Sequence, residues 1–558
     1  MSIKYFFQRN RKILWASAGI VIFSVGVFLR TYHFHDWLKF RDDQARDATL
    51  VSQIVSGKTA WPLLGPYMSY SGEGDHKESD SFHLGPIYYY FQIISAKTFG
   101  DDADKLAYPD VFFGILSIIL LYVFLRIYFE KNLSLGLTGL YAISAYFVQY
   151  SRFAWNSNLI PCFVLLFLLS LYKFLEKNET TSWRWIISAG IALGIGVQLH
   201  AIVMLIFLLV TFLVFLFSLK QNYGVWKKWA TIFLIAVFLN APQIYSEIKT
   251  NFSNTTILWH FSSHDNNDIS AVQIGPRGLI KNDVDCHIEA NAYFLSSYRN
   301  SNCLYNFLSP AEYRQISTKN LATTSHDLTT RAAMLVSVLF SVLGYLLLIR
   351  FDRKEPDKNK KYFLNLIFLY IFISFVIMIP LGTSKFNDLR YYTPTFFVAY
   401  VLLGLLIKFI GEKVTRKYIY WTIPILIFGV LIFTNIFAII HIASALAARD
   451  RTCTSRSAIL GELEPVARYI ATDANSRQLI YFEGDSNFEV NNESLAYLLE
   501  KQGKNSVAIG ADSNQEQNYT SDPAYMISCR ASREDSYPYK RIGSIYVFQL
   551  NNKGNDDE

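Results

Sequence analysis

The sequence predicts an α-helical polytopic membrane protein that ends in a small α/β domain. Three observations carry this. Of the 558 residues, 52% are hydrophobic and only 17% charged, a balance unlike that of an ordinary soluble domain. Apolar runs long enough to cross a bilayer recur along the first 441 residues. Beyond them the pattern changes to short helical and strand-like segments.

The spans follow from length. A hydrocarbon core about 30 Å thick takes roughly 17 to 25 apolar residues per helix. Ile13 to Leu29, "ILWASAGIVIFSVGVFL", follows "KYFFQRNRK" without a small-residue cleavage site and reads as a retained first span. Ten further runs lie near residues 111–125, 133–150, 157–172, 185–199, 201–218, 229–245, 332–349, 362–380, 392–408 and 418–441, giving about 11 transmembrane helices. Leu84 to Gly100, "LGPIYYYFQIISAKTFG", is apolar as well, and charge decides its place. If it does not cross, five short loops holding 18 Lys and Arg fall on one side, while the opposing short loops hold only Arg152, Lys385 and Arg390. Basic loops stay cytoplasmic. The amino terminus is therefore expected inside, and Leu84 to Gly100 is expected along the outer surface as a juxtamembrane helix with its aromatic residues in the headgroup zone.

This topology makes residues 1–441 a membrane domain, with a first outer loop at 30–110 and a large outer loop at 246–331. Residues 442–558 become an extracytoplasmic α/β domain. There "EPVARYIATDA" and "ESLAYLLEKQG" read as helices, and "QLIYFE", "SVAIG", "AYMISC" and "SIYVFQL" as strands. The tail "NNKGNDDE" has the composition of a disordered end. The net charge of +7 sits in short loops between spans, which marks cytoplasmic anchoring and argues against nucleic-acid binding. A multi-pass protein of a bacterial plasma (inner) membrane is the expected setting. Of five cysteines, Cys162 falls in a span, Cys286 and Cys303 share one outer loop, and Cys453 and Cys529 share the outer domain. Two disulfides and four free thiols are both compatible with that placement.

Chemistry is expected at the outer rim. The span cores hold no Asp, Glu or Arg, residues that mark transport paths and proton relays inside a membrane. Asp42, Asp43, Arg46, Asp47, His83, Arg152, His200, Lys385 and Arg390 instead fall at outer helix ends or in outer loops, which suits a substrate with a charged head and a lipid tail. In "FRDDQARDATLVSQIVSG" the paired acids stand at a helix start and Gly57 at its end. A helix start stabilises ionised carboxylates and favours a nearby phosphate, with Arg46 one turn on to neutralise it. The plain alternative is a cap with a local ion pair between Arg46 and Asp47.

Taken in order, Asp42-Asp43, "SGKTAWPLLGP", "FHLGPIYYYFQIISAKTFG", "YSRFAWNSNLIP", "GIGVQLH" and "RYYTPTFF" resemble the GT-C glycosyltransferases of the protein O-mannosyltransferase and lipid A aminoarabinose transferase superfamily (glycosyltransferase 39-like membrane proteins), to about residue 410. The resemblance implies a GT-C fold and transfer of a sugar from a polyprenyl-phosphate-linked donor to an acceptor hydroxyl at the outer membrane face. Asp42 aligns best with the family's first-loop acid, the general base, and Asp43 takes the neighbouring acidic position. Arg46, Arg152, His200, Arg390 and Tyr391 are the expected contacts of the donor phosphate. His83, Trp155, Asn156 and Asn158 are the expected contacts of acceptor or sugar.

Each residue has a plainer role as well. Arg152 could snorkel from a helix end, His200 could be a bonded histidine at a helix junction, and Arg390 with Tyr391 and Tyr392 could form an interfacial belt. Relatives carry a second acid where this chain has Asn156 and Asn158, and no His or Cys cluster has metal spacing, so no cofactor is expected to be required. Asp43 beside Asp42 keeps a divalent metal open. The acceptor, whether lipid, polysaccharide or protein, is not written in the sequence. A lipid or glycolipid transporter and a non-catalytic membrane assembly factor are the other function classes compatible with this hydropathy.

Overall fold

A computed structural model describes residues 11–68, 81–176, 183–221, 225–264, 269–297, 328–381, 389–414, 417–448, 458–474, 479–484, 488, 491–509, 523–529 and 537–550. Helix α1 (Arg11–Thr31) leads to α2 (Asp42–Val55), the strand pair β1 (Tyr67–Met68) and β2 (Phe82–His83), and α3 (Ile87–Phe99). Then come α4 (Tyr108–Leu125), α5 (Lys131–Ala142), α6 (Ala145–Gln149), α7 (Ile160–Leu175), α8 (Trp183–Leu199), α9 (Ala201–Gln221), α10 (Trp226–Leu239) and α11 (Ala241–Lys249). Helices α12 (Ser253–His264), α13 (Ile269–Ser296), α14 (Leu328–Lys354), α15 (Lys358–Met378), α16 (Phe396–Lys413) and α17 (Lys417–Ala447) complete the membrane part. A 3-10 turn at Leu389–Thr395 feeds α16.

Among the described residues seven helices are long and apolar enough to cross a membrane, and α10 with α11 forms an eighth candidate bent by 64°. Trp15–Thr31 and Trp183–Leu199 are shorter apolar helices. The chain is a multi-pass membrane protein. The run expected at 133–150 is broken, because α5 stops at Ala142 and α6 restarts at Ala145. Backbone groups freed inside a bilayer need protein partners. Here Ala145 N–H donates to Ser297 Oγ at 3.1 Å and Asn435 Oδ1 at 3.2 Å, while Asn435 Nδ2 donates to Leu295 O at 2.7 Å.

Two of those partners belong to a segment whose composition suggests an outer loop. Helix α13, from within residues 246–331, packs against α14, α16 and α17 in the bundle and buries Asp283, His287 and Asn291. Its polarity conceals it from a hydropathy reading. The polar groups find partners inside: Tyr392 OH donates to Asp283 at 2.9 Å and Asn291 Nδ2 reaches Tyr345 OH at 3.1 Å.

The two ends of the bundle differ in chemistry. At one end Tyr128, Phe351 and Phe363 gather, with Lys408 Nζ 4.2 Å from the Tyr128 ring centre, near the ends of α14 and α15 that carry Arg353, Lys354, Lys358, Lys360 and Lys361. The other end carries α2, the strand pair, α3 and the carboxyl-terminal unit. That unit comprises α18 (Leu460–Asp473), β3 (Leu479–Gly484), α19 (Asn492–Lys501), β4 (Asn505–Ile509), β5 (Ala524–Ser528), β6 (Tyr539–Ile542) and β7 (Ile545–Gln549). Its sheet runs β4-β3-β5-β7-β6, with β3 parallel to both neighbours and β7 antiparallel to both of its own. The expected helices and strands all appear. Strand β6, "YKRI", was not expected; it is largely exposed and carries no buried alternation to reveal it.

The domain boundary is blurred at both levels. Residue 441 lies inside α17, which continues to Ala447. One apolar core joins Leu38, Phe40 and Val51 of the first loop to Leu460, Leu463 and Leu495 of the carboxyl-terminal unit. Backbone bonds stitch the two: Leu460 N–H to Leu38 O at 2.9 Å and Gly461 N–H to Asp36 O at 3.1 Å. Ser494 Oγ donates to Phe40 O at 2.9 Å, and Lys501 pairs with Asp101 at 2.5 Å. Cys286 and Cys529 each take part in a disulfide whose partner lies outside the described residues, and Cys162 is a buried free thiol. Cys303, Cys453 and Lys385 lie outside the described residues.

Candidate active site

Helix α2 begins as its sequence requires. Arg41 is extended at the N-cap, and the side chain of Gln44 reaches back to accept its N–H at 3.2 Å. The helix ends at Ser56, and Gly57 follows with φ +77°. Asp42 and Asp43 therefore occupy the first turn, where unpaired helix N–H groups favour carboxylates.

The two acids face different surroundings. Asp43 is exposed and accepts from Arg46 Nη1 at 3.1 Å. Asp42 turns into the interface with the carboxyl-terminal unit, where Oδ1 is buried without a hydrogen-bond partner. Burial, reinforced by Glu493 and Asp43, lifts its carboxyl to about 7. Asp47, one turn on, is buried and accepts from Arg46 Nη2 at 2.9 Å and Tyr89 OH at 2.8 Å. Burial raises its carboxyl to about 6 against the pull of Arg46. Arg46 is thus held between two carboxylates, with its guanidinium 4.4 Å from the Tyr67 ring centre.

Tyr67 is positioned by the β1–β2 pair, in which it lies opposite His83. The main chain of His83 is gripped on both sides by Asn254, at 2.7 and 2.9 Å, and its Nδ1 meets Gly65 O at 3.1 Å. The two "LGP" segments touch here: a Cβ on Gly65 would lie 2.1 Å from Gly85 O. Only a residue without a side chain fits.

A second group of polar side chains gathers at helix ends on the same side of the bundle. Asp110, fully buried, accepts from Tyr88 OH at 3.1 Å, Trp155 N–H at 3.0 Å and Asn158 Nδ2 at 2.9 Å. The main-chain N–H of Trp155 is thus anchored, and its ring centre lies 5.4 Å from the Arg390 guanidinium. Tyr391 meets the His200 ring at 5.7 Å. Burial and Arg390 push His200 down to about 4, so at neutral pH its uncharged Nδ1 accepts Ile202 N–H at 3.2 Å at the start of α9. Asn156 Nδ2 donates to Leu199 O at 2.5 Å.

The fold therefore gathers His200, Arg390, Tyr391, Trp155, Asn156 and Asn158, and separately Asp43, Arg46 and the Tyr67–His83 pair. The neighbouring tyrosines Tyr88 and Tyr89 of α3 link the two groups through Asp110 and Asp47. Arg152 is occupied elsewhere: its guanidinium donates to Leu29 O at 2.8 Å, Tyr32 O at 2.6 Å and His33 O at 3.3 Å, closing the end of α1. Burial and nearby Arg30 lower its pKa to about 10. It lines a cavity of about 90 Å³ with Trp37 and Lys39, and Asp42 and Asp43 do not line that cavity. Asp110 is the organising residue that sequence reasoning missed; its only signal was an acid in "YPDVFF", just where an apolar run begins. Among the described residues no three His, Cys, Asp or Glu side chains converge as metal ligands.

Residues 83–245 match the family model described as dolichyl-phosphate-mannose-protein mannosyltransferase. The crystal structure of ArnT from Cupriavidus metallidurans bound to undecaprenyl phosphate superposes with a TM-score of 0.50 at 12% identity, covering 97% of this chain and 98% of that one. This chain has the GT-C fold. The Archaeoglobus fulgidus oligosaccharyltransferase, in complex with Zn and sulfate, gives a TM-score of 0.49 at 12% identity over 88% of this chain and 62% of that one. No curated protein sequence matches the chain. The family-model match runs from His83 into α11, and so takes in His83, Asp110, Arg152, Trp155, Asn156, Asn158 and His200 but neither α2 nor Arg390.

Proposed function

We propose that the chain is a membrane glycosyltransferase that moves a sugar from a polyprenyl-phosphate-linked donor to an acceptor hydroxyl at the outer face of a plasma membrane, with its amino terminus cytoplasmic. The observation that carries this reading is the run of polar contacts from the acid-bearing turn of α2, through Tyr89 and Tyr88 to Asp110, and on through Trp155 to Arg390. The family-model match to mannosyltransferases and the fold shared with ArnT, solved with undecaprenyl phosphate, support the donor class.

In this reading the acceptor oxygen attacks the anomeric carbon and its proton passes to the first-loop carboxylate. The bond from that carbon to the phosphate oxygen breaks, and its electron pair leaves on the phosphate. Arg390 and Tyr391 neutralise that charge, and neutral His200 adds no competing cation. Asp43 is the better placed base because it is exposed, whereas Asp42 Oδ1 is closed in by the carboxyl-terminal unit. Arg46 Nη1, 3.1 Å from Asp43 Oδ1, orients it. Base catalysis contributes roughly 10²- to 10⁴-fold, so Asp43→Asn lowers transfer of labelled sugar from polyprenyl phosphate by at least about 10²-fold, with binding of the donor retained. Unchanged transfer by both Asp43→Asn and Asp42→Asn removes the proposed base.

Lipid transport is the second reading, favoured by the bent α10–α11 pair and by the ionisable residues of α13 inside the bundle. The same assay separates the two. A transporter leaves the labelled donor chemically intact.

A further inference from the structure

Helix α12 meets the candidate active site at Asn254. Among the described side chains of α12, residues 253–258, Asn254 alone is buried, and Ser253, Thr255 and Thr256 around it are exposed. The corner that delivers it has an unusual backbone: Asn251 and Phe252 both have positive φ, +52° and +60°, a region that residues other than glycine enter at a cost. Such a corner persists where its surroundings over-determine it. Here Glu247 of α11, itself buried, accepts the Thr255 N–H at 3.3 Å and so satisfies a first-turn donor of α12. A strained corner and a buried carboxylate fix the place of one amide.

That amide acts on β2 as a neighbouring strand does. Asn254 Oδ1 accepts the His83 N–H at 2.7 Å, and Nδ2 donates to the His83 carbonyl at 2.9 Å. The other edge of the same segment faces the first "LGP": Leu84 N–H donates to Pro66 O at 3.0 Å and Gly65 N–H to Leu84 O at 2.8 Å. Main-chain groups alternate sides along a strand, so His83 is the residue whose N–H and C=O point away from β1. Tyr67 and His83 are therefore a non-hydrogen-bonded pair, the kind whose side chains stand closest, and their ring centres lie 5.7 Å apart. Strands of two residues are too short to hold themselves. Without Asn254 the His83 N–H and C=O lose their partners.

The far end of the segment is tied to the bent α10–α11 pair from which α12 continues. Ile87 N–H, at the start of α3, donates to Gln198 Oε1 at 3.2 Å, and Gln198 Nε2 donates at 3.0 Å to the carbonyl of Leu239, where α10 ends. Amides thus hold His83–Ile87 at both ends. From the ribbon the contacts run on to the acids of α2. The Tyr67 ring lies 4.4 Å from the Arg46 guanidinium, Asp47 holds Nε and Nη2 of that group at 3.1 and 2.9 Å, and Nη1 meets Asp43 at 3.1 Å. We propose that Asn254 is a positioning residue of the active site, which holds the Tyr67–His83 pair against Arg46 and thereby sets where Asp43 stands. The role rests on the reading of Asp43 as the base.

The test uses the full chain, in native membranes with radiolabelled polyprenyl-phosphate mannose and in nanodiscs for hydrogen exchange. Asn254→Ala speeds exchange of the His83 amide about fivefold, as expected for one hydrogen bond. It lowers kcat about 10- to 10²-fold, the range open to a displaced catalytic group. The KM for the donor is unchanged, because Arg390, Tyr391 and His200 lie on other elements. A double-mutant cycle separates positioning from general damage: with Tyr67→Leu already present, Asn254→Ala lowers kcat less than about twofold further. Losses that multiply across the pair overturn the positioning role, as does unchanged His83 exchange in Asn254→Ala or a donor KM that rises with kcat intact. Where Asn254→Ala fails to fold, Asn254→Asp, which keeps the shape and the acceptor but lacks the donor, takes its place in the same cycle. Absence of mannose transfer by the unmodified chain, with the His83 amide still released by Asn254→Ala, counts against mannosyl transfer by this chain and not against the clamp.

Discussion

Asp42→Asn tests how the carboxyl-terminal unit is fastened to the first loop. The Asp42 carboxyl is displaced from 3.8 to about 7 by burial in that interface, with Glu493 and Asp43 adding to it. At about 1.4 kcal/mol per pH unit the displacement corresponds to at most about 4 kcal/mol; partial exposure reduces this to about 1–3 kcal/mol. The sign is set by proton counts. Between pH 3.8 and about 7 the docked state holds a proton that the open chain has released, so docking weakens as pH rises through that window and is flat above it. Asparagine cannot ionise. Hydrogen exchange of α19 and of the residues around Phe40, corrected for the intrinsic pH dependence, should show equal protection in both proteins near pH 4. At pH 8 the variant should be protected about 5- to 150-fold more. Equal protection at pH 8, or weaker protection in the variant, refutes the account of Asp42 as a strained interface acid.

Other predictions concern the same framework. His35 bridges Glu464 at 3.1 Å and Asp104 at 3.4 Å; burial works to lower its pKa, but the two carboxylates raise it above the ordinary 6.5. Its contribution is complete below pH 6.5 and lost as pH rises through the higher value, so His35→Gln should flatten the pH dependence of exchange in α18 in that range. Gly65→Ala should cost about 1–3 kcal/mol, read as a lower melting temperature, because the methyl group meets a carbonyl that cannot move aside. Asp110→Asn turns an acceptor of three donors into a group that can itself only partly accept. It should lower stability by about 1–3 kcal/mol and, by releasing Trp155 from beneath Arg390, raise the KM for the prenyl-phosphate donor more than it lowers kcat.

Much of the molecule was legible because bilayers impose length. A run such as Ala201–Gln221 has few alternatives to a spanning helix, and the alternation in "LIYFEG" reappears as strand β3 with its burial alternating residue by residue. Helix α13 escaped because hydropathy measures the residue and not its partner: Asp283 and Asn291 look solvent-bound until Tyr392 and Tyr345 are seen to meet them. For the site, the identities at the rim were visible but not their allegiances. Arg152 and Arg390 look alike in sequence, yet one closes the carbonyl end of α1 and the other lies over Trp155. Asp42 and Asp43 are neighbours that one helix turn sends to different surroundings. Which face of α2 would be covered depended on a domain that begins about 400 residues later, and no local pattern encodes that.

The backbone bonds from Leu460 and Gly461 to Leu38 and Asp36 have a consequence for how the chain is made. Ribosomes emit the sequence from its amino end, so Leu38, Phe40 and the covered side of α2 emerge early and then wait while every later helix is inserted. Throughout that interval an oily ledge stands uncovered above the bilayer. A message truncated between α17 and α18 yields a protein whose spans are all in place but whose ledge is never covered, an open invitation to quality-control proteases and to clumping with its siblings.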